Sequence, residues 1–187
     1  MRKGVRLVVL ASGSGTTLQA ILDDAELRPH VVAIGADRRA PALDRAQAAA
    51  VESFLIPFAE YADRSAWNRD FEKAIGTYEP DLVVLAGFMR ILDAAIVTRF
   101  RVLNTHPALL PAFPGAHAIR DALEAGATST GVTVHWVDEG IDTGPVIAQV
   151  PVAVEPGDDE AALRERVQAA EKPLYLETIR TLCRELA

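Results

Sequence analysis

The sequence is poor in cysteine, long apolar runs and positive charge. Its 187 residues include a single cysteine, Cys183. A disulfide framework and a cysteine-based metal site are therefore excluded, and a reducing, cytoplasmic location is expected. No apolar run approaches the roughly 20 residues that span a bilayer. The formal net charge of −7 argues against broad binding of nucleic acid, because a phosphate backbone favours a basic surface.

The amino terminus resembles a secretion signal only superficially. Basic residues precede an apolar run, but that run covers only Leu7 to Ala11 and leads into a glycine loop rather than a cleavage site. The chain is 50% hydrophobic and 24% charged, which is an ordinary globular composition. This length suits one domain with a substantial core, so we predict a single domain over residues 1–187, with no membrane segment.

Short apolar runs alternate with helical patterns through the first hundred residues. Strands are predicted at 5–11, 30–36, 81–87 and 100–104, and less strongly at 53–57. The segments between them carry helical spacing. Such alternation indicates βαβ crossovers and an α/β fold, with a Rossmann-like, mostly parallel sheet and helices on both faces.

The remainder of the chain follows a different pattern. After a predicted helix at 116–126, two strands are predicted at 131–137 and 145–152. They are too close for a crossover helix, so we expect an antiparallel strand pair near the carboxyl terminus. The final helical pattern, from Asp158 to Leu186, should be interrupted or kinked at Pro173.

The segment ASGSGTTLQ joins the first predicted strand to the first helix. Backbone N–H groups at a helix N-terminus can face an anion, and glycines let the backbone approach it. A dinucleotide fingerprint would need a glycine where Leu18 stands, although Asp37 could imitate its acidic ribose contact. No Gly-Lys-Ser/Thr follows, so the Walker pattern also fails. The loop suits one phosphate, and a glycine turn without a ligand stays an open alternative.

A polar pair ends the strand in VLNTHPALLP. Asn104 and His106 are two residues apart, so they should project from the same face, and Pro107 should end the strand. An amide N–H and an imidazolium N–H aimed at one point stabilise an oxyanion, as acyl transfer requires. No serine or cysteine stands in an activated context. Direct transfer to a nucleophile carried by the substrate is therefore favoured over a covalent enzyme intermediate.

The acidic loop VDEGIDTGPV could bring a carboxylate to this pair. Asp142 precedes a turn that leads back into a strand, and a carboxylate beside His106 would orient its ring and favour the protonated form. A solvated acidic turn is an equally open alternative. The other strand histidines, His30 and His135, are assigned to the structure. No spacing typical of metal ligands appears, so no metal is expected.

Four stretches carry a resemblance that runs nearly end to end. LASGSGTTLQA, PDLVVLAGFMRIL, VLNTHPALLPAFPGAHA and GVTVHWVDEGIDTGPVIAQ stand in the order and spacing of the folate-dependent phosphoribosylglycinamide formyltransferases. The chain resembles this family, which implies the formyltransferase fold. It also implies transfer of a formyl group from 10-formyltetrahydrofolate, as co-substrate, to the glycyl amine of 5-phosphoribosylglycinamide in de novo purine biosynthesis. The implied partners are these small molecules, with no metal; a homodimer is left open.

The resemblance also implies the site residues. Asn104, His106 and Asp142 match the family's catalytic trio: the first two stabilise the oxyanion of a tetrahedral intermediate, and Asp142 supports His106 and helps proton transfer from the attacking amine. Thr17 stands where the family usually has Asn, but its hydroxyl can still bind an oxyanion. The ribonucleotide and its phosphate are matched by Gly15, Thr16, Thr17, Gln168 and Glu171. The folate contacts are matched by Arg64, Met89, Arg90, Ile91, Leu92, Asn104, Asp138, Glu139, Gly140, Ile141 and Asp142, with the loop 138–142 closing over the pteridine.

Four other functions are weighed against this one. Methionyl-tRNA formyltransferases would require an additional domain and a basic RNA-binding surface, which neither the length nor the charge supports. Formyltetrahydrofolate hydrolases typically carry a small domain in front of the catalytic one, whereas the first predicted strand begins within a few residues of Met1. A nucleotide-binding sensor with the same fold would tolerate loss of His106. A nicotinamide oxidoreductase is disfavoured by Leu18.

Overall fold

Seven strands and six α-helices alternate along the chain in the computed structural model, which describes residues 4–187. The three preceding residues, which form part of the signal-like amino terminus, lie outside the described residues. The strands are β1 (Leu7–Ala11), β2 (Val31–Ala36), β3 (Glu52–Leu55), β4 (Leu82–Leu85), β5 (Val102–His106), β6 (Ser129–Trp136) and β7 (Val146–Ala153). The helices are α1 (Thr16–Asp23), α2 (Pro41–Ala48), α3 (Arg64–Gly76), α4 (Ala94–Arg99), α5 (Ala118–Glu124) and α6 (Glu160–Leu186).

The predicted alternation is confirmed. Every predicted strand has an observed counterpart, and β5 continues to His106, two residues beyond its predicted end. Parallel strand pairs are followed along the chain by antiparallel ones, so the expected α/β class is confirmed. Two compact units divide the chain, Met1–Val102 with Arg180–Ala187, and Leu103–Ile179. The single domain over residues 1–187 stays a prediction.

The first unit is built on four parallel strands. β1 pairs with β2 on one side and with β4 on the other, and β3 pairs with the outer edge of β2. All residues of β1 and β4 are buried, which explains their continuous apolar runs. The right-handed rule for βαβ crossovers assigns α1 and α2 to one face and α3 to the other, because the chain reverses its direction across these strands after β3. The carboxyl ends of β1 and β4 thus flank the point where α/β sheets bind ligands.

The second unit is built on antiparallel strands. β6 pairs with β5 and with β7, so the predicted antiparallel pair is confirmed. In the β5–β6 register, Asn104 lies opposite His135 and His106 lies opposite Thr133. Directly opposed residues project from the same face of a sheet, so these four side chains share one face. A separate apolar cluster contains Ile119, Val132, Val152, Leu163 and Val167.

Helix α6 runs unbroken through Pro173. Of the predicted interruption or kink at this proline, the interruption does not occur. Its 27 residues include the proline in the interior. Proline removes one N–H donor and disturbs one turn, while buried Val167 and Tyr175 anchor the helix on either side of it. The Tyr175 hydroxyl also donates to the carbonyl oxygen of Leu103 at 3.0 Å. Within residues 4–187, no helix combines the length and the apolar character needed to cross a membrane.

Candidate active site

His106 ends β5 with a buried ring that meets an acceptor at each nitrogen. Nδ1 lies 3.2 Å from Oδ2 of Asp142, and Nε2 lies 2.7 Å from the carbonyl oxygen of Phe113. Carbonyl and carboxylate oxygens accept hydrogen bonds, so each ring nitrogen faces an acceptor for an N–H. The side chain is 5% exposed. The arrangement is therefore a buried imidazole ring held at both nitrogens at the end of a strand.

Asp142 reaches His106 from the loop before β7. Its φ of +54° lies in the left-handed region, which aspartate tolerates better than most residues. Oδ2 also accepts the Gly115 N–H at 2.8 Å. The turn requires Gly144, where a Cβ would lie 1.8 Å from the carbonyl oxygen of Trp136. With its side chain 13% exposed and paired with His106, Asp142 does not belong to a solvated acidic turn.

A second histidine, His135 of β6, joins this group. Its Nε2 lies 3.5 Å from Nδ2 of Asn104 and 3.7 Å from Oδ1 of Asp142. Its Nδ1 lies 2.9 Å from the carbonyl oxygen of Trp136, which can only accept. Burial lowers the pKa of His135, outweighing the opposite effects of the Trp136 carbonyl and the Asp142 carboxylate. Neutral His135 thus carries its proton on Nδ1 and offers the Nε2 lone pair to the Asn104 amide.

The alternating pattern of the strand does not predict that His135 belongs to this polar group, and it does not predict a role for Thr133. The Thr133 hydroxyl donates to the carbonyl oxygen of Ala108 at 2.6 Å and accepts the Leu110 N–H at 3.0 Å. These two bonds hold the loop that follows His106. The β5–β6 register would have revealed both residues, because it sets them opposite Asn104 and His106.

The group can stabilise negative charge on a substrate oxygen. The Asn104 amide and the His106 ring lie on one face of β5, and the Asp142 carboxylate pairs with that ring. A preorganised amide N–H beside an imidazole paired with a carboxylate is suited to the oxyanion of acyl transfer. Among the residues that the structure describes, no group of three His, Cys, Asp or Glu side chains could hold a metal ion.

Gln168 and Glu171 lie about one turn apart on α6. The Thr105 hydroxyl donates to Oε1 of Glu171 at 3.2 Å. Thr105 stands between Asn104 and His106 in β5, so its side chain projects from the opposite face. Burial raises the pKa of Glu171, outweighing the Thr105 hydrogen bond. Glu171 is thus tied to β5, whereas Gln168 is exposed.

The glycine loop caps α1 in the first unit. Gly15 is the N-cap residue with a φ of +71°, and a Cβ there would lie 3.1 Å from Cα of Ala42, so glycine is required. Thr16 and Thr17 begin α1. Arg45 of α2 donates to the carbonyl oxygen of Ser14 at 2.8 Å. N–H groups at a helix start beside a guanidinium are suited to an anion.

The segment Met89–Leu92 follows β4 in the first unit. Met89 donates its N–H to the Ser12 hydroxyl at 2.9 Å, and Arg64 donates to the carbonyl oxygen of Ile91 at 2.8 Å. The side chains of Met89 and Ile91 are 75% and 58% exposed, whereas Leu92 is buried. Exposed apolar side chains on a hydrogen-bonded backbone are suited to contact with a flat ring.

The acidic loop of the second unit has its own internal bonds. Oδ1 of Asp138 accepts the Gly140 N–H at 3.0 Å and the Thr143 hydroxyl at 2.7 Å. Glu139 and Gly140 are exposed, and Ile141 is also exposed. Of the predicted site residues, the structure therefore brings Asn104, His106 and Asp142 into one group, with this loop leading up to Asp142.

Comparisons with known proteins agree on one family. A family model described as formyl transferase matches residues 5–179. A phosphoribosylglycinamide formyltransferase of Mycobacterium tuberculosis is 50% identical over 181 residues, covering 95% of this chain and 84% of that protein. The trifunctional purine biosynthetic protein adenosine-3 of Drosophila melanogaster is 41% identical over 174 residues, covering 89% of this chain and 13% of that protein. The crystal structure of glycinamide ribonucleotide transformylase 1 from Symbiobacterium toebii matches with a TM-score of 0.91 at 42% identity, covering 97% of this chain and 89% of that one.

These matches extend over the sheet and over the strand ends that carry the polar group. They confirm the predicted enzyme class, a formyltransferase, and the predicted α/β fold. The stretch matched by the family model includes Asn104, His106 and Asp142. The chain therefore belongs to the formyl transferase family.

Proposed function

We propose that this formyltransferase transfers the formyl group of 10-formyltetrahydrofolate to the glycyl amine of 5-phosphoribosylglycinamide, in de novo purine biosynthesis. The observation that carries the proposal is the buried His106 ring, held by Asp142 on the strand face that also bears Asn104. This arrangement suits a reaction that develops an oxyanion. The names of the similar proteins support the choice of ribonucleotide.

The proposed reaction is direct attack. The amine nitrogen forms a bond to the formyl carbon, and the electron pair of the C=O double bond moves onto oxygen. The Asn104 N–H and the His106 imidazolium stabilise the resulting tetrahedral oxyanion. Asp142 supports His106 and helps the amine lose its proton. When the carbonyl re-forms, the bond to N10 of the folate breaks and N10 takes up a proton, which leaves tetrahydrofolate and the formylated ribonucleotide.

The remaining candidate residues are proposed to bind the two small molecules. Gly15, Thr16 and Thr17 bind the phosphate, supported by the helix start and by Arg45 beside it. Gln168 and Glu171 bind the rest of the ribonucleotide. Folate is bound by Arg64, the segment 89–92 and the loop 138–142. We place the reaction in the cytoplasm, within one catalytic domain and without a metal.

The test is a spectrophotometric assay that follows loss of 10-formyldideazafolate with and without the ribonucleotide. We expect ribonucleotide-dependent turnover in the wild type and a fall of roughly 10²- to 10⁴-fold in His106→Ala. His30→Gln is the control, because the His30 ring contacts the carbonyl oxygen of Val5 in the first unit. Turnover that ignores the ribonucleotide would indicate a hydrolase, and absence of turnover would favour a binding protein.

A further inference from the structure

Asp37, the residue after β2, places a buried negative charge at the ends of the parallel strands. Its side chain is 0% exposed, and Oδ2 lies 2.6 Å from Nε of Arg90 and 3.2 Å from Nη2 of Arg38. Burial by itself raises the pKa of Asp37, but the nearby Ser12 hydroxyl and the hydrogen bonds from Arg38 and Arg90 outweigh it and lower the pKa. Asp37 is therefore ionised at neutral pH and has no exposed face for a ribose hydroxyl.

The segment that follows β4 is tied to the ends of two neighbouring strands. Ser12, after β1, donates its N–H to the carbonyl oxygen of Gly87 at 3.2 Å, and its hydroxyl accepts the Met89 N–H at 2.9 Å. The next residue, Arg90, reaches Asp37 after β2. Met89 is thus held through its backbone and Arg90 through its side chain, at consecutive positions.

Arg90 is also held against an aromatic ring. The guanidinium carbon lies 3.7 Å from the ring centroid of Phe58, and the Phe58 N–H donates to the backbone carbonyl oxygen of Asp37 at 2.9 Å. Asp37 therefore fixes Arg90 through its carboxylate and places the stacking ring through its backbone. A planar guanidinium held on an ion pair and a ring face has little rotational freedom left.

We infer that Asp37 is a positioning residue for folate: through Arg90 it holds the segment Met89–Leu92 in its binding conformation. The inference rests on the proposed function, which assigns this segment to the folate. The exposed side chains of Met89 and Ile91 have few contacts of their own to order them. When the segment is ordered before the folate binds, the binding free energy does not have to offset the entropy lost in ordering it. Asp37 itself need touch neither the folate nor the reacting atoms.

The first test compares Asp37→Asn and Asp37→Ala with the wild type. We expect the Kd of 10-formyldideazafolate and its KM to rise about tenfold in Asp37→Ala and less in Asp37→Asn, which keeps the side-chain shape. The KM of the ribonucleotide and the kcat at saturating folate should stay within about twofold of wild type. The matched control is Asp24→Asn, which weakens another partly buried aspartate–arginine pair of the first unit, that with Arg180, and should leave the folate Kd unchanged.

The second test asks whether Asp37 acts through Arg90. If it does, adding Asp37→Asn to Arg90→Gln should weaken folate binding no further than Arg90→Gln alone. If the two substitutions raise the folate Kd independently, so that their factors multiply in the double variant, the inference is overturned. A wild-type folate Kd in both Asp37 variants would also overturn it, as would a rise in the KM of the ribonucleotide equal to that of the folate. Should Asp37→Ala fail to fold, Asp37→Asn and the double variant carry the same comparison. A wild type that neither transfers formyl nor binds the folate analogue would refute the proposed function, whereas normal transfer with unaffected Asp37 variants would refute only this inference.

Discussion

Asn104 lies directly opposite His135 in the β5–β6 pairing, with its amide nitrogen 3.5 Å from Nε2 of the ring. The two histidines of the group thus have different tasks. His106 meets acceptors at both nitrogens, whereas His135, with its lowered pKa, offers a lone pair that orients the amide. The orientation of Asn104 decides whether its N–H points at a substrate oxygen.

Replacing His135 should therefore lower the rate of the chemical step. In His135→Phe we expect kcat to fall roughly ten- to hundredfold with little change in either KM, because an oxyanion donor loses its orientation. Steady-state kinetics with both substrates would measure this. The control is Thr130→Val, a buried change on the same strand at a hydroxyl that has no hydrogen-bond partner among the described residues. A wild-type kcat in His135→Phe would contradict the role given to the ring.

Substitution of Thr105 should weaken ribonucleotide binding and leave kcat nearly unchanged. Its hydroxyl orients the Glu171 carboxylate, and one such hydrogen bond corresponds to roughly a two- to tenfold change in affinity. We expect Thr105→Val to raise the KM of the ribonucleotide by that factor while kcat stays near wild type. Thr105→Ser, which keeps the hydroxyl, should restore the KM. An equal effect in both variants would show that packing, not the hydrogen bond, is responsible.

The strand ends could be predicted from the sequence, but the contacts between distant segments could not. Asn104 and His106 follow from the two-residue period of one strand, which is a local property. His135 depends on the register between β5 and β6, and Asp142 on a turn whose backbone adopts a positive φ. The Arg90 partner of Asp37 comes from the segment after β4, so neither composition nor periodicity reveals this pair.

Gly15 provides a test of the phosphate loop. A side chain at Gly15 would be strained by the φ of +71° and crowded by Ala42 and Arg45. We expect Gly15→Ala to lower the free energy of unfolding by about 1 kcal/mol and to raise the KM of the ribonucleotide more than that of the folate. Gly13→Ala is the control, because a Cβ at Gly13 would meet no atom within 4 Å. Chemical denaturation and steady-state kinetics would give both quantities, and identical behaviour of the two variants would contradict the prediction.

The ionisation of Glu171 should lower the free energy of unfolding at neutral pH. Burial raises its pKa in the folded protein above the model-compound value of 4.5, so the folded state favours the protonated form. This contribution to stability is fully present below the unfolded pKa and is lost as the pH rises through the folded pKa. Glu171→Gln mimics the protonated group, so its Tm should exceed that of wild type at pH 7, and the difference should shrink towards zero as the pH falls to about 4.

Thermal unfolding at a series of pH values would measure this difference. Glu165→Gln is the control. Glu165 is exposed on the same helix, and its substitution removes the same formal charge. A constant offset between Glu171→Gln and wild type across the pH range would show that the effect comes from packing rather than ionisation. If Glu171 binds the ribonucleotide as proposed, Glu171→Gln should also bind the ribonucleotide more weakly. The buried carboxylate then lowers the stability of the fold but is needed for binding, which is a common trade-off at functional sites.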